Sequence, residues 1–186
     1  PQGVSSIATG ILPVIIAPAT AVPRTITIIN KCPFTVYAGI SGGSANLSKG
    51  SAPGTCPTGT YDTESQDPNG YEICYWNNPI PSNSKYKLNS NESTVFTIPT
   101  SSLDTVGAMW GGSIAARLKS GGSWLIGDCS KGMSGESCAI GVGFSNPVTL
   151  TEFTILPGGF DTYDVGLIGG VTVPISVAPN GVTPDS

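Results

Sequence analysis

The chain has 186 residues, 12 acidic against 8 basic side chains, a net charge of −4 and no His. The acidic balance argues against a nucleic-acid partner, which needs a basic footprint. Without His, a zinc site and a Ser-His or Cys-His catalytic pair are not expected, and no cofactor is expected. No apolar run reaches the ~20 residues of a membrane-spanning helix, so no membrane partner is expected either. The length suits one domain that buries about 70% of its unfolded surface. Only 11% of residues are charged, and Gly (25) and Pro (16) are plentiful. Short Thr/Val/Ile-rich segments between Gly, Pro and Asn turns predict an all-β sandwich or barrel.

In chain order, residues 1–23 stand apart: PQGVSSIATGILPVIIAPATAVP carries no charge, and Arg24 is the first charged residue. Pro13, Pro18 and Pro23 exclude a helix and favour extended backbone. Disordered tails are usually polar, so the segment is expected to be a buried extended arm. Ile11, Leu12, Val14, Ile15 and Ile16 are its candidate donor-strand residues, and residues 24–186 form the domain proper. The start shows no basic n-region, so any secretion signal is expected to be gone already.

Thr25–Asn30 alternates with Ile26 and Ile28 on one face, and Phe34–Ile40 with Phe34, Val36, Ala38 and Ile40. Lys31-Cys32-Pro33 reads as the bend between them, and Ser41–Ser51 as a Gly/Ser/Asn loop. Cys56 and Cys74 flank a polar excursion and are expected to pair. Closing a loop of that length stabilises by about 3 kcal/mol in the chain-entropy model. Tyr71, Tyr75 and Trp76 read as the mini-core of that bridge or as a carbohydrate-stacking platform. Further strands are predicted at Tyr86–Leu88, Ser93–Ile98 and Val106–Trp110, and Trp124-Leu-Ile leads into a Gly-Asp-Cys turn. Asn46-Leu-Ser and Asn91-Glu-Ser are glycosylation sequons, which with the low Lys content suit a secreted, extracellular or cell-wall protein.

Residues 148–177 carry the clearest pattern. Tyr163, Val165 and Leu167, then Val171, Val173, Ile175 and Val177, recur with a period of two, the mark of strands with one buried face. Gly158-Gly159 and Gly169-Gly170 punctuate the run as turns, and Glu152 and Asp164 sit inside it.

The wording LTEF, YDVGLIGG, VTVPISV resembles the thaumatin-like family, which reads close to TLAEF…YDISLVDGFNVPMSF. TITIINKCPFTVYAG (Thr25–Gly39) is similar to the family's amino-terminal strand pair, and Gly127-Asp128-Cys129 to its TGDC turn. The resemblance spans roughly Thr25–Pro179 and is thin between Ser41 and Val106. It implies a thaumatin-like antiparallel β-sandwich, here with an extended N-terminal arm. It also implies a Cys129–Cys138 bridge, because the family closes a small loop after its GDC turn. The family's partner for the position of Cys32 lies near a carboxyl terminus that finds no counterpart here. Cys32 is therefore expected to be unpaired in its own chain: the chain is a fragment, or the thiol is buried and free, or it bonds another molecule. The family's disulfide-rich second domain and its C-terminal strand are likewise expected to be missing.

Relatives that bind or cleave β-1,3-glucan carry an Arg and several acids facing a cleft. Glu152 matches the Glu of TLAEF and Asp164 the Asp of YDIS, and a hairpin centred on Gly158 would set them opposite each other. The family's second Asp falls on Gly169, and the Arg of its RIW motif on Ala108. Hydrolysis is expected to be lost. Two functions follow from different classes. One is a non-enzymatic structural protein that partners itself, its arm inserted into the next subunit of a filament by donor-strand complementation. The other is a β-1,3-glucan-directed antifungal or wall-remodelling protein acting through Glu152 and Asp164.

Overall fold

The computed structural model describes residues 24–49, 60–66, 71–76, 81–98, 109–155 and 161–178. The arm with Ile11, Leu12, Val14, Ile15 and Ile16 lies outside them, as do Cys56, Ala108 and Gly158, and with Cys56 the expected Cys56–Cys74 bridge. Among the described residues there is no helix, and the strands are β1 (Arg24–Ile29), β2 (Val36–Lys49), β3 (Thr60–Gln66), β4 (Tyr71–Trp76), β5 (Lys87–Leu88), β6 (Ser93–Ile98), β7 (Met109–Ser120), β8 (Ser123–Ile126), β9 (Leu150–Ile155) and β10 (Thr162–Gly166).

The strands form an all-β sandwich of two unequal sheets. β1 and β6 make a two-stranded layer; the other is eight-stranded in the order β10-β9-β7-β2-β4-β3, with β5 on β2 and β8 on β7. Alternation explains the filling between them. Val36, Ala38 and Ile40 of β2 and Phe153 and Ile155 of β9 point inward to meet Leu88 and Phe96. Ile26 and Ile28 pack on the same core from β1, and Ile114, Ala116 and Leu118 from β7. Burying each such side chain stabilises by about 1.5–3 kcal/mol.

The bend after β1 is held by one buried amide. Asn30 Nδ2 donates to Phe34 O (2.8 Å) and Leu88 O (3.0 Å), while its Oδ1 accepts from Cys32 N (2.9 Å). Cys32 is a free thiol, half-buried against the core.

Four expectations are corrected. The predicted loop from Ser41 to Ser51 is strand as far as Lys49: β2 runs on beside β7 and β4, with a register irregularity between Gly42 and Ser44. The glycines there mark a bulge, which keeps the chain in the sheet and bends it. The polar excursion before Cys74 contains β3 and runs into β4, and of the segment expected at Val106–Trp110 the described Met109 and Trp110 begin the 12-residue β7.

The fourth correction concerns the apolar stripe of residues 163–177. Only Val173 of that stripe is buried; Tyr163, Val165, Leu167, Val171 and Val177 are 48%, 41%, 55%, 73% and 37% exposed. On β10 the period of two holds, with Tyr163 and Val165 on one side, but the small β1–β6 layer, as far as it is described, does not cover this face. Residues 171–178 are not strand either. Pro174 has no N–H to give a ladder. Thr149 and Thr172 instead exchange side chain for backbone, each N–H bonding the other's Oγ1 at 3.0 and 2.9 Å.

Candidate functional site

The outer face of the large sheet carries the polar residues. On β10 and β9, Asp164 is the direct antiparallel partner of Glu152, and on β7 Ser113 is the next partner of Glu152. Ser113 in turn faces Ser41 of β2. The row Asp164–Glu152–Ser113–Ser41 therefore crosses four strands on one face. In-register partners hold their Cβ atoms about 5 Å apart, so the two carboxylates are neighbours, as the sequence predicts. Both stand exposed. Gly166, the partner of Leu150, lies in the next row. A Cβ built on Gly166 would lie 3.3 Å from Glu152 Oε2, so the Glu152 carboxylate reaches over the backbone of β10.

A second cluster lies farther along the same face. Arg117, opposite Tyr37, is fully buried although it carries a charge. What covers it is the segment after β8, closed by a Cys129–Cys138 disulfide as the resemblance implies. The Arg117 guanidinium donates to Ala38 O (2.8 Å), to Glu136 O and to Cys129 Sγ (3.2 Å), and lies 4.3 Å from the Trp124 ring centroid. Ser41 Oγ donates to Val142 O in the same covering segment. Burial lowers the Arg117 pKa to about 10, which Glu136 and Tyr86 partly oppose, so it remains a cation at neutral pH. A Cβ at Gly39 would come within 2.6 Å of Arg117 Nε and 2.7 Å of Phe144; only glycine admits the Arg here.

Beside this buried cation, Lys119 Nζ sits 4.2 Å from the Trp124 ring and 5.4 Å from Tyr37, and the two rings meet edge to face at 5.4 Å. Sequence reasoning missed all four residues. The available signal was a lone Arg between Ala and Leu in a strand of small residues. Asp128 begins the covering segment as a turn. Its Oδ1 accepts from Ser130 N at 2.8 Å, and bonds to Ser130 hold its carboxyl below the ordinary 3.8. That contribution is fully present above about pH 4 and is lost as pH falls through the lowered value.

Two places where the resemblance expects charge lack it. Ala108 lies outside the described residues. At Gly169 an added Cβ would meet Asn146 Oδ1 at 2.6 Å and Val148 O at 3.0 Å, so a side chain here would have to displace the Asn146 amide. Among the described residues no three His, Cys, Asp or Glu side chains gather as a metal site.

Comparison with known proteins agrees with this fold. The profile described as Thaumatin family matches residues 70–185. The chain belongs to the thaumatin family. It is 32% identical over 162 residues to thaumatin-like protein 1 of Pyrus pyrifolia, covering 86% of this chain and 50% of the relative. It is 29% identical over 160 residues to pathogenesis-related thaumatin-like protein 3.5 of Cryptomeria japonica, with the same 86% and 50% coverage. A glucan endo-1,3-beta-glucosidase of Prunus avium is 33% identical over 117 residues, 59% of this chain and 46% of that protein. The chain thus spans about half the length of the curated relatives it matches. Within this thaumatin-family domain, Glu152 and Asp164 come together as expected, whereas Asn91 lies on the β5–β6 turn, away from both.

Proposed function

We propose that this domain acts outside the cell and binds β-1,3-glucan on its outer face without hydrolysing it. The observation that carries the reading is the direct pairing of Asp164 with Glu152 on an exposed sheet face. Two carboxylates at that spacing accept hydrogen bonds from sugar hydroxyls. Serving as acid and nucleophile would need the pair tuned apart by its surroundings. The Arg and the further Asp expected from the resemblance are replaced by Ala108 and Gly169. The Prunus avium relative, named as a glucan endo-1,3-beta-glucosidase, supports the polysaccharide class. In a sedimentation assay with insoluble β-1,3-glucan, Glu152→Gln/Asp164→Asn is expected to weaken binding at least tenfold, with no reducing sugar released by either protein. Unchanged binding would overturn the glucan reading. Sugar release abolished by Glu152→Gln would overturn the non-hydrolytic one.

A second reading, self-assembly, is favoured by the edge strand β10. Its inward side leaves Tyr163 and Val165 half exposed, and Leu167 follows them. Among the described residues β10 ends the large sheet, and such an apolar edge invites another strand. The charge-free segment holding Ile11, Leu12, Val14, Ile15 and Ile16 has the composition to fill it from a neighbouring copy, giving a non-closing contact and a filament. Removal of residues 1–23 should then convert large species to monomers in sedimentation velocity. An unchanged size distribution would end this reading.

A further inference from the structure

We propose that Asn91 carries an N-linked oligosaccharide. The two sequons are alike in sequence and unlike in place. Asn46 stands within β2, with Ile73 of β4 on one side and Met109 of β7 on the other, inside the eight-stranded sheet. Asn91 stands at the tip of the turn between β5 and β6, exposed, with a left-handed φ of 64° that Asn tolerates better than most residues.

The turn is anchored by groups other than the Asn91 side chain. Asn91 N donates to Asn30 O (2.7 Å), Asn30 N to Glu92 O (2.9 Å) and Glu92 N to Asn89 O (3.1 Å). The Glu92 carboxylate accepts from Asn89 N at 2.6 Å and pairs with Lys85 at 2.6 Å. The Asn91 amide itself makes one long bond, to Ser90 Oγ at 3.4 Å. A bulky substituent on Nδ2 therefore displaces little, and the rigid turn aims it into solvent.

The surroundings give the glycan a task. Ile29, 50% exposed, is the strand partner of Ser93, and Phe34, 47% exposed, is tied to Asn30 through its carbonyl. Both apolar side chains flank the turn, and an oligosaccharide rooted at Asn91 would screen them from other molecules. In the reaction a lipid-pyrophosphate-linked oligosaccharide is the donor. Asn91 Nδ2 forms the bond to the anomeric carbon, the lipid pyrophosphate leaves with its electron pair, and the amide gives up one proton.

The test is mass spectrometry of the full chain secreted from a eukaryotic host, before and after amidase release of N-glycans. Release should convert Asn91 to Asp and remove one glycan mass. Asn91→Gly, which keeps the left-handed turn, and Ser93→Ala, which keeps the Asn, should each abolish the modification, while Asn46→Gln should leave it in place. A secreted chain with unmodified Asn91, or a glycan removed only by Asn46→Gln, would overturn the assignment.

Discussion

Arg117→Ala is expected to lower stability by about 3–5 kcal/mol, read as a fall in the urea midpoint at unchanged slope. The side chain is fully buried and its guanidinium serves the carbonyls of Ala38 and Glu136 and the sulfur of Cys129. Truncation leaves a cavity and strips two carbonyls of their donor, at about 1–3 kcal/mol for each buried group left unpaired. Part of this loss is offset. A charge out of water is itself costly, which is why burial lowers the Arg117 pKa. Arg117→Met, which keeps most of the volume and removes the charge, should therefore cost less than Arg117→Ala. If Arg117→Ala melts within about 0.5 kcal/mol of the parent, the guanidinium is not holding the covering segment down.

What was legible in the sequence follows from where its pattern was local. β6 is read to the residue because its run of Thr, Val, Phe and Ile favours a strand, and Thr94 and Phe96 on its one face are fully buried. The pairing of Asp164 with Glu152 was readable because a short hairpin fixes which residues face each other. β7 was largely missed: Gly, Ser and Ala supply no stripe, and such a strand is extended because β2 and β9 bond it on both edges. Arg117 was missed for a different reason. In a strand, a charge ordinarily marks a solvated face, and its burial depends on a segment that begins only after β8 and folds back over the sheet. Tyr163 and Val165 show the converse. Period identifies which side of β10 is apolar, but burial requires a partner layer, and β1–β6 is too narrow to provide one.

Replacing Cys129 and Cys138 together by Ser is expected to cost about 2–3 kcal/mol from lost loop-closure entropy alone. The bridge spans nine residues. Its effect should extend further, because the segment it closes holds the Arg117 partners. Ala139 N bonds Cys129 O at 2.7 Å and Ser145 N bonds Asp128 O at 2.8 Å, so the cover is a set of short loops pinned at one knot. Without the knot, the Glu136 carbonyl is free to leave the guanidinium, and Ser41 loses its acceptor at Val142. The two changes should then be non-additive: a variant carrying both Ser substitutions and Arg117→Ala should be less destabilised than the separate costs predict, by 1 kcal/mol or more in a double-mutant cycle, roughly the coupling seen for residues that share one network. The stability of the triple variant by urea titration decides it. Additivity within about 0.5 kcal/mol would mean that bridge and cation stabilise the cover independently.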